Sequence, residues 1–251
     1  MLFIRPTNPV SHRLARSAFV LACVSGLIVG ISGPLHRYFG LDADVALGVF
    51  RYGFYVAAAA IALALATIVP TRPGDRRRGF VAAVMALVIG IAAAWAPVDW
   101  LLRAHAAPPI NDVTTDTANP PPLVVTLSFR ENAPNPPGYG GASVANLQRE
   151  GYPDIKPIML GLSPAEAFRK VDQVAMEMGW DVVARAPAEG RIEAVDTSKW
   201  FGFHDDIVVR IKPEGGGSRV DIRSKSRVGH SDLGANAERI REFTQRLRGE
   251  S

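Results

Sequence analysis

The residues best arranged to do chemistry lie between positions 210 and 236. Arg219, Asp221, Arg223, Lys225 and Arg227 recur at every second position. In an extended strand they share one face. Arg210 and Lys212, in the preceding strand-like run, can share it too. Gly229 and His230 then lead to Ser231, a good N-cap for a last helix, with Asn236 close behind. A helix start offers free N–H groups and a partial positive charge. The expectation is a cradle for an anionic group (phosphate, carboxylate or lipid headgroup) built from Arg210, Arg223, Lys225, Arg227, Ser231 and Asn236. Replacing Arg223 and Arg227 by Ala should then abolish capture without unfolding the domain. The competing expectation is an exposed face of weak ion pairs. Asp205, Asp206 and Asp221 would neutralise the arginines, and Asp232 would take up the helix dipole.

Other chemistries are less well supported. His204, Asp205 and Asp206 form a cluster that Glu193, Asp196 or His230 could complete, giving a metal-dependent hydrolase as the alternative function. Their spacing matches no familiar metal geometry, so no metal ligand and no cofactor is assigned. Ser224 or Ser226 with His230 would suggest nucleophilic catalysis, but both serines share the parity of the apolar Val220 and Ile222. No G-x-S-x-G elbow is present, and no catalytic residue is assigned. The glycines at 215–217 lack the Lys-Ser/Thr and the strand-to-helix context of a phosphate loop. Trp180, Trp200, Phe201 and Phe203 read as packing residues.

The elements that must position these residues follow from periodicity. Ser163-Pro164-Ala165-Glu166 is a capping box with proline at the first helical position. Phe168, Val171, Ala175 and Met178 follow at helical spacing, and Gly179 ends a helix over 164–178. Strand-like runs occupy 180–186, 191–197, 206–212 and 218–228. The short connections at 187–190 and 213–217 make them hairpins. Leu233, Ala237, Ile240, Phe243 or Thr244, and Leu247 mark the last helix. The fold class is α+β, a two-layer sandwich of two helices on a four-stranded antiparallel sheet. The proline-rich stretch before it, at 104–122, reads as a tether or as the domain's first extended segment. Residues 131–143 read as a surface loop.

Upstream lies a different material. Apolar runs cover 17–35, 45–69 and 80–97, the last continuing as helix to about 102, and only the second holds a charge, Arg51. Each has about 18 residues or more, the length that crosses a bilayer core. A membrane region is expected over 1–104 and a soluble domain over 105–251. Arg5, Arg13 and Arg16 precede the first run, and Arg72, Arg76, Arg77 and Arg78 separate the second from the third. Only Arg37 and Arg103 flank the other side. The positive-inside rule then puts the N-terminus in the cytoplasm and the C-terminal domain in the periplasm of a bacterial inner membrane. Tyr52, Tyr55, Trp95 and Trp100 fall where an outer aromatic belt would lie. Arg51 fits an interfacial, snorkelling position. The first run is too long for a signal h-region, lacks an A-x-A site and continues past Cys23, so neither cleavage nor lipidation is expected.

The net charge of +4 needs a location before it implies a partner. Residues 1–122 hold ten Lys and Arg against six Asp and Glu, whereas 123–251 hold eighteen of each. The excess belongs to the membrane region, and a neutral domain argues against nucleic acid. The lone Cys23 permits no internal disulfide. Expected partners are the bilayer and an anionic lipid, metabolite or envelope protein. A third reading is a structural subunit whose polar face docks another membrane protein.

Several runs resemble one bacterial family, known as domain of unknown function 1499. They are INDVTTD at 110–116 followed by Pro120-Pro121, YPDIKP at 152–157, RIEAVDTSKWFGFHDDIVVRI at 191–211 and RVDIRSKSRVGHSDLGANAERIREF at 219–243. The resemblance spans about residues 108–248. It implies that the proline-rich stretch belongs to the domain and that the protein is membrane-attached or exported. It implies no activity, cofactor or catalytic residue.

Overall fold

The three apolar runs fold as long helices: α1 (Pro9–Phe39), α2 (Ala43–Ile68) and α3 (Arg78–Ala106). A computed structural model describes residues 9–72 and 78–249. It divides into two units, Met1–Leu102 with Trp200–Gly202 and Arg103–Lys199 with Phe203–Ser251. In the first unit all three helices are long and apolar enough to cross a membrane, which is the build of a membrane protein. Their packing is inside-out. Ala18 and Ala22 of α1 meet Ala60 and Ala64 of α2 and Ala86 of α3, while Val20, Leu27, Leu65, Val88 and Ile91 point outward. Small residues inside and large apolar ones outside suit lipid, where close backbone approach drives helix association. Gly53 shows the same constraint, since a Cβ there would stand 2.6 Å from Val29 Cγ2.

That alanine cluster places the start of α1, the end of α2 and the start of α3 at one end of the bundle. Exposed Arg13, Arg16 and Arg72 belong to this end. Arg5, Arg76 and Arg77, expected to share it, lie outside the described residues. Arg51, Tyr52, Tyr55, Trp95 and Trp100 are all exposed.

The second unit contains β1 (Asp112–Thr114), a 3-10 helix (Thr126–Arg130), α4 (Gly141–Gly151), β2 (Ile158–Leu160) and α5 (Pro164–Glu177). Then come β3 (Asp181–Ala186), β4 (Arg191–Thr197), β5 (His204–Glu214), β6 (Gly217–Ser226) and α6 (Ala235–Arg248). The sheet is antiparallel in the order β1-β6-β5-β4-β3, with β2 also on β6. It has six strands, not the expected four. β1 covers residues 223–225 of β6 and β2 covers residues 218–220, so the two short strands share one edge end to end. Their pairing covers six residues of the ten-residue β6 edge, which left open would template association.

The four longer strands and α5 form where periodicity places them. The Ser163 capping box is present in full. Gly215 and Gly216, both at positive φ, turn the β5–β6 hairpin as a two-residue loop requires. One sheet face carries Ile192, Ala194, Ile207, Val209, Ile211, Val220 and Ile222 against Val171 of α5 and Ile240, Phe243 and Leu247 of α6. Trp180 stacks on Phe243 with centroids 5.5 Å apart.

Two expectations need correction. Helix α4 occupies the end of the expected loop, because residues 141–151 bury Ala145 and Gln148 with little apolar pattern to reveal it. The last helix starts at Ala235, not Ser231. Leu233 and Gly234 take left-handed φ values, and Asp232 reaches forward to accept hydrogen bonds from the Gly234 and Asn236 N–H groups.

Candidate functional site

The alternation read along β6 holds. Lys225 lies opposite Asp206 and Asp112, Arg223 opposite Val208, and Asp221 opposite Arg210. All face away from α5 and α6. This face is not open to solvent, however. Asp206, Asp221 and Glu193 are fully buried, and Arg223 and Lys225 are 3% and 4% exposed.

The cover is a strap, residues 115–139, drawn from the proline-rich stretch and the expected loop. Glu193 anchors it by accepting from the backbone N–H groups of Val124, Val125 and Thr126 at 3.0–3.1 Å and from the Thr126 hydroxyl at 2.8 Å. Burial alone would raise the Glu193 pKa, but these four donors hold it below the usual carboxylate value. Farther along, Arg223 donates to the carbonyls of Pro121 and Pro137, and Lys225 donates to that of Gly138. Proline supplies a carbonyl without an N–H of its own to satisfy, which suits a cover over cations.

Charge is distributed unevenly beneath the strap. At one end Arg210 and Arg219 share Asp116 and Asp221, two cations to two carboxylates. At the other end Asp112 sits between Arg223 and Lys225, and Asp206 between Arg130 and Arg227. There four cations share two carboxylates. Other donors of these cations are met by backbone carbonyls, including those of Lys225, Ser226 and Asn135 for the two Nη atoms of Arg130. Burial pushes the Lys225 pKa down, against the pull of Asp112. Two buried polar atoms at this end find no hydrogen-bond partner among the described residues, Arg130 Nε and the Tyr139 hydroxyl. The Tyr139 ring lies 5.6 Å from the Arg223 guanidinium. Its hydroxyl pKa is pushed up to about 12, by burial and then by Asp112.

The structure therefore gathers Arg223, Lys225 and Arg227 and adds Arg130, Asp112 and Tyr139, which sequence reasoning missed. Arg210 belongs to the balanced end. Asn236 lies on the opposite sheet face, where it accepts from Ser224 and donates to Ser226. Arg239 completes that second network through Ser224, Asn236, Asp196 and Asp205. Ser231 Oγ accepts from the Leu233 N–H and donates to the Pro108 carbonyl. The N–H groups expected for an anion are taken up by Asp232, whose pKa burial raises.

The remaining chemistries do not assemble. Asp205 and Asp206 face opposite sides of the sheet, Asp205 toward Arg239 and Asp206 toward Arg130 and Arg227, while His204 is exposed. No group of three or more His, Cys, Asp or Glu among the described residues could hold a metal. Ser224 and Ser226 are committed to Asn236, and His230 is exposed. In the first unit, a cleft of about 440 Å³ between α2 and α3 is lined by Phe50, Arg51, Phe54, Tyr55 and Trp100.

No curated protein matches the chain. The family model described as protein of unknown function (DUF1499) matches residues 112–247. That range opens on the first residue of β1 and includes the strap, both cation groups and nearly all of α6. It covers more than half of the sequence, and the chain belongs to the DUF1499 family.

Proposed function

We propose that the protein is a membrane-anchored binding protein whose C-terminal domain captures an anionic group at the strap-covered cation layer. One observation carries this reading: among the described residues, four buried or nearly buried cations share two carboxylates, Asp112 and Asp206. Positive charge held in low dielectric without a full set of counter-charges attracts an anion strongly. Arg130 Nε and the Tyr139 hydroxyl supply two donors not yet used. Arg227 is the accessible member, with a 15% exposed side chain at the strap's edge. The ligand class is a phosphate or carboxylate, free or carried on a lipid or an envelope component.

The cation count of the flanking segments supports a cytoplasmic N-terminus and a periplasmic domain in a bacterial inner membrane. Exposed Arg13, Arg16 and Arg72 at one end of the bundle agree with that reading.

Titration of inorganic phosphate into the intact chain in neutral-lipid nanodiscs, followed by calorimetry, tests the site. Arg227→Gln removes one unit of the excess while Arg130 keeps Asp206 paired. Losing one charge-assisted contact should weaken phosphate binding about tenfold or more. Absence of phosphate binding to the unmodified chain, or equal binding by the variant, contradicts the assignment.

A further inference from the structure

The strap has a second property, on its outer face. Its central run, Val124-Val125-Thr126-Leu127-Ser128-Phe129-Arg130, is turned inside-out. Thr126 and Arg130 point inward and are almost fully buried, while Val124, Val125, Leu127 and Phe129 are each 37% exposed or more. Four large apolar side chains are thus exposed within six residues of chain, a denser grouping than the scattered single residues ordinary in soluble domains. Nor is the arrangement loose. Glu193 fixes three consecutive backbone N–H groups at its start, and Arg130 is pinned to Asp206 at its end. Phe129 is held by its ring over the Arg227 guanidinium, 5.4 Å away. A buried carboxylate and a buried guanidinium thus hold apolar side chains out, and burial of that apolar surface awaits a partner.

Chain connectivity identifies the partner. Helix α3 ends at Ala106 and β1 begins at Asp112. The five residues between them span at most about 20 Å. A domain of this size has a radius of gyration of only about 14 Å. A rigid apolar surface on a domain held that close to a membrane-crossing helix meets the bilayer at very high effective concentration.

We infer that residues 124–129 dock into the bilayer interface, so that the domain rests on the membrane through Val124, Val125, Leu127 and Phe129. The contact needs no anionic lipid, so it stands or falls apart from the anion site. A nitroxide at Leu127→Cys, in a Cys23→Ala background, reports it in the intact chain. The chain is placed in nanodiscs of neutral phosphatidylcholine, and accessibility is measured to oxygen and to a water-soluble nickel chelate. A label at Glu177→Cys, exposed on α5 across the sheet, is the aqueous reference. Docking predicts that oxygen relaxes the Leu127 label more than nickel does, with the reverse order at Glu177. Nickel-dominated relaxation at Leu127 overturns the inference. So does dipolar broadening that grows with the number of chains per disc, since that would seat a second copy on the surface instead.

Discussion

Arg223, in β6, and Arg227, just past its end, stand four residues apart, yet they do different work. Arg223 donates twice to Asp112 and once each to two proline carbonyls, with a side chain only 4% exposed. Removing it leaves a buried carboxylate held by Lys225 alone. Breaking a buried pair of this kind costs about 3–5 kcal/mol. Arg227 shares Asp206 with Arg130, so its loss leaves that carboxylate paired and should cost only about 1 kcal/mol. Thermal unfolding of the intact chain should therefore show a large drop for Arg223→Ala and a small one for Arg227→Gln. Equal drops would mean that the layer is not organised around Asp112. The expectation that Arg223 could be truncated without harm to the fold arose because alternation shows which residues share a face, not what covers it.

The strap is the element that sets the character of the domain, and Glu193 is its latch. The Glu193 pKa is depressed in the fold. Its contribution is therefore complete above the ordinary glutamate value of 4.5 and is lost as pH falls through the lower folded value. Protection of the Val124, Val125 and Thr126 amides against hydrogen exchange should fall in that acid range. Glu193→Gln should show low protection already at neutral pH. Flat protection from neutral to strongly acid pH would contradict the latch. Little of this element was legible in the sequence. Helix α5 and strands β3 to β6 declared themselves because period and punctuation are local properties. Strands β1 and β2 have three residues each, too few to show a period, and exist only through pairing with β6 up to 113 residues away. The strap's prolines read as a tether or a first extended segment, never as a cover, because its role rests on backbone carbonyls and on Glu193, which no side-chain pattern reports. Likewise Arg223, Lys225 and Arg227 were visible as a stripe, whereas Asp112 and Arg130 join them only after folding.

At the scale of the molecule, two kinds of interior stand in one chain. The first unit packs alanines inside and shows large apolar residues outward, as lipid permits; the second packs Ile, Val and Phe between helices and sheet. The second unit also buries a second, charged interior between sheet and strap, and its local excess of cations is invisible in a unit that holds 19 Lys and Arg against 20 Asp and Glu in all. Native mass spectrometry of the intact chain, released from nanodiscs in the presence of phosphate, asks most directly whether that excess holds an anion. A single phosphate-mass adduct on the unmodified chain, absent from Arg227→Gln, is the predicted result. Bare masses for both chains, or the same adduct on both, would contradict it.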